Sequence, residues 1–170
     1  MRLFVAVDPS SEVVAHLSDE LRRKGLRAGP SSRWHITLTF CGDVDTSTAE
    51  CLRHGISAVA APHPPVALRL GGSGAFGSAL WVGVEGELTG LAAAVGSAAR
   101  DCGIPVEDRS FQPHLTVTRS KDRGMAKHWV REMSTYVSGA WTADRLRLVR
   151  SHLGHGPVSH ETVGSWQLGG

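Results

Sequence analysis

Cysteine is scarce in this chain: three in 170 residues, at Cys41, Cys51 and Cys102. No two form a Cys-x-x-Cys pair, which argues against a zinc ribbon or a dithiol redox motif. An odd count without that spacing reads as reduced thiols in a cytoplasmic protein. Net charge is also small, at +2, which does not support a long surface wrapped around nucleic acid. No apolar run reaches transmembrane length, so no membrane association is expected. The opening Met1-Arg2-Leu3-Phe4-Val5-Ala6-Val7-Asp8-Pro9 is too short and too soon charged for a signal peptide and reads as a first strand. The Gly71-Gly72-Ser73-Gly74 run lacks the Lys-Ser/Thr of a phosphate-binding loop and reads as a flexible or tightly turning link. Hydrophobic and charged fractions of 41% and 20% fit one globular unit with a real core, residues 1–170.

What the chain does have is one short phrase written twice. His35-Ile36-Thr37-Leu38-Thr39 returns as His114-Leu115-Thr116-Val117-Thr118. Strict alternation makes each a two-faced strand. His35, Thr37 and Thr39 then share one face, and Ile36, Leu38 and Phe40 the other. The second copy likewise separates His114, Thr116 and Thr118 from Leu115 and Val117. His-x-Thr alone is a weak motif, and His160-Glu161-Thr162 is a third instance. The five-residue form occurring twice is hard to ascribe to chance.

The flanks repeat as well. Apolar runs Leu3–Val7 and Leu80–Val84 precede the two phrases at equal distance, each with a helix pattern between. The first helix starts at Ser10 or Ser11, carries Val13, Leu17 and Leu21, and stops at Gly25. The second starts with Thr89 as cap, carries Leu91, Val95, Ala98 and Cys102, and stops at Gly103. After each phrase comes another helix (46–60 with Leu52, Ile56 and Val59; 122–137 with Met125, Trp129, Met133 and Tyr136). Strands at 66–70 and 145–149 come next. The reading is a duplicated α+β fold with repeats at about 2–73 and 80–151 and a closing strand near 158–168. Two pseudo-twofold-related lobes of antiparallel sheet and helices would face each other across a cleft.

Two imidazoles and two hydroxyls suit phosphodiester chemistry. Opening a 2′,3′-cyclic phosphate at an RNA end needs a base for the attacking water and an acid for the departing ribose oxygen. Imidazole can serve as either near neutrality. Attack and departure are roughly in line, so the two groups must flank the phosphorus. Thr37 and Thr116 can donate to the nonbridging oxygens as their charge grows. Arg119 directly follows the second phrase and can add positive charge. The other basic clusters, Arg22-Arg23-Lys24 with Arg27 and Arg33, and Arg145-Arg147-Arg150, read as solvated faces, the first also favoured by a helix dipole.

The paired His35-Ile36-Thr37-Leu38 and His114-Leu115-Thr116-Val117 resemble the signature motifs of the 2H phosphoesterases. Within them the chain is most similar to the RNA 2′,3′-cyclic phosphodiesterases of the LigT-like, or 2′-5′ RNA ligase, group. The likeness extends to Arg2–Val7, Trp34–Asp43, Ala79–Val84, Phe111–Thr116 and Leu148–Ser151. It implies a bilobal fold with the active cleft between lobes, no cofactor and no metal. The substrate implied is RNA or an oligonucleotide with a 2′,3′-cyclic phosphate end, hydrolysed to a 2′-phosphomonoester, with no obligate protein partner. It also implies His35 as proton donor, His114 as proton acceptor, Thr37 and Thr116 as phosphate contacts and Arg119 in support. Cys41 and Gln112 depart from the usual pattern, where an aliphatic residue and Arg are common. Cys41 is expected to stay clear of the chemistry.

Other residues are assigned blander roles. His152, His155 and His160 read as a solvent-exposed loop, not a metal site, since no acidic or Cys ligands cluster with them. His16 and His54 read as helix surface, and Phe76 as buried in preference to stacked on a base. Trp34 and Trp166 are left between those two fates. Alternative functions are 2′-5′ ligation in the same cleft, a non-catalytic RNA-end-binding module and, weakest, a metallohydrolase.

Overall fold

The computed structural model describes residues 1–107 and 110–170. Among the described residues eight strands and four α-helices follow in the order β1 (Arg2–Val7), α1 (Ser11–Arg23), β2 (Ile36–Asp43), α2 (Thr46–Ala60), β3 (Val66–Phe76), β4 (Ala79–Glu85), α3 (Thr89–Asp101), β5 (His114–Arg119), α4 (Arg123–Met133), β6 (Trp141–Ala143), β7 (Arg145–His152) and β8 (Ser159–Gln167). All pairings are antiparallel, and the class is α+β.

Helix boundaries follow local chemistry. The Ser10 hydroxyl accepts from the Val13 amide at 3.2 Å, and Val13, Leu17 and Leu21 form the buried stripe of α1. Asp45 caps α2 through the Thr48 amide at 2.8 Å, and Asp122 caps α4 through Gly124 at 2.8 Å. Thr89 is not a cap. Leu88 holds that position, without a side-chain hydrogen bond, and Thr89 is the first helical residue. On α4 only Trp129 and Met133 are buried; Met125 is exposed, and Tyr136 is buried just beyond the helix end.

Strand order is β6-β3-β4-β5-β2-β1-β7-β8. Four strands on each side meet at one residue pair, Ile36 opposite Leu115. The lobes are therefore not the sequential halves. β3 leaves the first half to pair with β4, and β7 returns to pair with β1. Helices α2 and α3 pack on β2, β7 and β8, whereas α4 packs on β3 and β4. α1 joins the second side, where Lys24 donates to the Glu132 carbonyl at 2.6 Å and His16 meets the Tyr136 hydroxyl at 2.9 Å. The main core lies between helices and sheet. A separate buried trio, Phe4, Ala6 and Val149, sits on the opposite sheet face.

The Gly71–Gly74 run is strand, not link. Gly72 takes φ +76° where the β3–β4 register slips between Leu70 and Ser73. Gly74 is needed for a different reason. A Cβ there would lie 2.1 Å from Cζ2 of Trp81, whose ring covers the strand at that point. The turn between the two strands is instead Gly77-Ser78, with Gly77 at φ +55°. Gly74→Ala must displace the indole, so it is expected to cost about 1–3 kcal/mol. Urea unfolding would register this as a lower midpoint at unchanged slope.

The cysteine expectation is overturned. Cys51 of α2 and Cys102 at the end of α3 form a disulfide, leaving Cys41 as the free thiol. Their positions are 51 residues apart in sequence and become neighbours only because α2 packs against α3. Cys41 is buried, and burial pushes its thiol up to about 11, away from any reactive state.

Candidate active site

Side chains of Ile36 and Leu115 point into the core, both fully buried. Their neighbours His35, Thr37, His114 and Thr116 therefore project to the other face of the sheet. The antiparallel register of the junction sets Thr37 across from His114, and His35 across from Thr116. Four groups from two strands thus make a quadrilateral with the imidazoles on one diagonal. In a regular ladder such diagonal positions stand roughly 7–8 Å apart, enough for one phosphoryl group between the rings.

Each imidazole is oriented the same way. Nδ1 of His35 lies 2.7 Å from the Arg33 carbonyl, and Nδ1 of His114 lies 2.7 Å from the Gln112 carbonyl. A carbonyl only accepts, so Nδ1 carries the proton in both rings. Nε2 is left as the atom that gains or loses a proton at the site. Gln112 thus serves through its backbone, whatever its side chain.

Both strands also bulge at equivalent places. Val5 pairs with Thr39 while Ala6 pairs with Thr37, so Leu38 is the extra residue; Leu80 pairs with Thr118 while Trp81 pairs with Thr116, so Val117 is the extra residue. A bulge reverses the alternation beyond it. Thr39 consequently turns inward, 5% exposed, and Phe40 turns to the His35 face, 64% exposed. This corrects the simple two-face reading. The same reversal turns Arg119 to the His114 face, where its guanidinium reaches the Ser78 hydroxyl at 3.4 Å. The carbonyl freed at the second bulge, that of Val117, accepts from the Gly29 amide at 3.0 Å and from Nε1 of Trp34 at 3.1 Å. Trp34 is therefore a buried clamp that ties the segment before His35 to the strand of His114.

Aromatic rings wall both imidazoles. His114 packs against Trp81 (centroids 5.5 Å apart) and edge-on to Phe76 (5.3 Å). Phe76 is 46% exposed at this rim, not buried as its sequence context implied. His35 stacks on Phe4 at 4.7 Å. It also meets His160, from β8, edge-on at 5.3 Å.

His160 is thus a site residue that sequence reasoning placed in a loop. Arg147 is another, set aside as solvated. It shares the sheet face of Ala6, grips Asp8 through Nε and Nη2 at 2.5 and 2.6 Å, and reaches Thr162 at 2.7 Å. Alternation along β7 and β8 was a usable signal for both, once β7 was known to pair with β1 and β8 with β7. His152 instead pairs with Glu161 at 2.6 Å. Among the described residues no group of three His, Cys, Asp or Glu is placed to hold a metal.

Burial lowers His35 to about 4, with His160 and Arg147 adding to the effect against the Arg33 carbonyl and Asp8. Burial, then the charges of Arg33 and Arg147, also lowers His160. In the ligand-free protein His35 is therefore neutral at pH 7, with its Nε2 lone pair open to the cleft.

Solved structures share this fold. A protein of Thermus thermophilus superposes with TM-score 0.83 over 100% of this chain and 99% of its own, at 24% identity. Escherichia coli LigT, crystallised with 3′-AMP, superposes with TM-score 0.79 over 98% and 97%, at 22% identity. Among curated proteins, an RNA 2′,3′-cyclic phosphodiesterase of Geobacillus stearothermophilus is 32% identical over 79% of this chain, which spans only 45% of that relative's length. One from Methanocaldococcus jannaschii is 26% identical over 98% of this chain and 100% of its own. The family model of the 2′-5′ RNA ligase superfamily matches residues 7–155, which include both His-x-Thr strands, and the chain belongs to that superfamily.

Proposed function

We propose that this protein hydrolyses the 2′,3′-cyclic phosphate at an RNA end to a 2′-phosphomonoester, with no metal in the reaction. The observation that carries the reading is the facing pair of His-x-Thr strands, joined at Ile36–Leu115 with both Nε2 atoms free. Water attacks phosphorus and gives its proton to Nε2 of His114. The bond from phosphorus to the ribose 3′ oxygen breaks, and that oxygen takes a proton from Nε2 of His35. Thr37, Thr116 and Arg119 hold the nonbridging oxygens and meet the charge that builds there. The assignment of donor and acceptor rests on the resemblance of the two strands to the 2H phosphoesterase signature motifs. His35 needs a proton that it lacks in the free protein, and the phosphate anion lodged beside it favours the imidazolium. With RNA as its substrate, the protein belongs in the cytoplasm. Run backwards with a 5′-hydroxyl in place of water, the same steps would join RNA ends through a 2′-5′ bond; abundant water favours hydrolysis.

The test is incubation with a cyclic-phosphate-ended oligonucleotide in EDTA. Full turnover and a 2′-phosphate product are expected; a joined strand, a 3′-phosphate or dependence on added metal would contradict the proposal. The same assay across pH reads the site's charge. The active form holds one proton between the two imidazoles, in either order of titration. The doubly protonated, inactive form accumulates only as pH falls towards about 4. The acid limb of kcat/KM should therefore sit near pH 4, well below the ordinary imidazole value near 6.5.

A further inference from the structure

We propose that His160 is a positioning residue for His35: its ring closes a three-ring packet that fixes the plane of the reacting imidazole and sets the charge beside it. This rests on the cyclic phosphodiesterase reading for its kinetic part only.

The geometry is a triangle. Phe4 stacks on His35 at 4.7 Å, His160 meets His35 edge-on at 5.3 Å, and His160 meets Phe4 edge-on at 5.2 Å. With Nδ1 held by the Arg33 carbonyl at 2.7 Å, the ring is constrained on one face, one edge and one nitrogen. Phe4 is 4% exposed and rests on Ala6 and Val149, so the packet has a firm floor. His160 itself is fixed by strand pairing with Ser151. Removing it opens one side of the packet and lets His35 swing about its carbonyl bond.

Across the cleft a second triangle surrounds His114. Phe76 and Trp81 lie 5.0 Å apart and 5.3 and 5.5 Å from the imidazole. The two packets are alike in shape and differ in chemistry. Only the one at His35 contains a second ring that can titrate.

That difference matters because of what else faces His35. Arg33, from the segment before β2, holds His35 by its carbonyl and sets its charge beside His160; Arg147 comes from β7, Asp8 from just past β1 and His160 from β8. Among the described residues Asp8 is the one acid there, and its carboxylate is bound through both oxygens by Arg147. A protonated His160 would add a further cation 5.3 Å from His35 with no free anion to offset it. A neutral His160 is thus a condition for His35 to accept and pass on a proton.

His160→Ala and His160→Phe separate the two roles. In His160→Ala, kcat should fall about 10- to 100-fold with KM within about twofold of the parent, as expected for a misplaced reacting group. In His160→Phe, which keeps a ring but not the charge, most of kcat should return. Nitrogen-15 titration of His35 in the ligand-free protein should move to higher pH in that variant, and the acid limb of kcat/KM should move with it. The titration needs no substrate, so it stands apart from the identity of the reaction. The proposal is overturned if both variants keep the parent's kcat and His35 titration, or if His160→Phe is as damaged as His160→Ala while His35 titrates unchanged.

Discussion

His35→Ala and His114→Ala are each expected to lower the proposed hydrolysis of a 2′,3′-cyclic phosphate by about 10²–10⁴-fold in kcat. The size follows from the work assigned to each ring. In the proposed mechanism each transfers one proton in the step where the phosphorus bond is made or broken, and no neighbour can take its place. His160 is close to His35 but lies edge-on to it, in a packet walled by Phe4. Thr37 and Thr116 are neighbours across the strands but do not titrate. The double variant should lose little more than the worse single one, because the two act as a unit. Folding is not at stake in these changes. Both rings lie on the cleft face, outside the main core, so circular dichroism and thermal midpoint should stay near the parent. Retention of more than about a tenth of parent activity in either variant would remove that ring from the reaction.

Reduction of Cys51–Cys102 is expected to give the largest change in stability. The bridge closes a 51-residue span, and a loop of that length restricts the unfolded chain by about 4 kcal/mol. For a domain of this size that corresponds to a fall in Tm of roughly 8–16 °C. Thermal scans with and without reductant, and on the Cys51→Ser/Cys102→Ser double variant, measure it. Activity at low temperature should survive, because α2 and α3 cover the sheet face opposite the cleft. Cys51 is exposed and Cys102 half-buried, so reductant can reach the bond. Under reducing conditions the bridge is then the part of this fold that responds. Two reactive thiols in the native, unreduced protein, or an unchanged Tm on reduction, would refute the bridge.

The His strands were legible because their period is local. Two residues decide a face, and the repeat of five made the phrase stand out. The path of the chain just beyond each phrase was not legible. Nothing in Leu38-Thr39-Phe40 announces a bulge; it arises from how β1 pairs with β2, and such bulges alone carry Phe40 and Arg119 to the cleft. Arg119 was singled out for its place in sequence, and the bulge supplies the physical reason. The glycines at 71–74 read as a flexible or tightly turning link because glycine frees the backbone. Here Gly74 instead makes room for Trp81, a partner known only once β3 and β4 are seen side by side.

Longer-range facts were further out of reach. The exchange of β3 and β7 between lobes leaves no mark on hydrophobic pattern. The disulfide depends on α2 lying against α3, and an odd cysteine count pointed the other way. His160 sat in a stretch with His152 and His155 that resembled a loop. Its nearness to His35 follows from two successive pairings, β1 with β7 and β7 with β8.

The central claim is that His35 and His114 flank one phosphorus as acid and base. A cyclic substrate with sulfur in place of the bridging 3′ oxygen tests it most directly. A thiolate leaves without a proton far more readily than an alkoxide, so the acid becomes dispensable and the base does not. On this substrate His35→Ala should regain most of the parent's rate, and His114→Ala should stay as slow as on the oxygen compound. Failure to rescue His35→Ala, or rescue of His114→Ala in its place, would contradict the assignment.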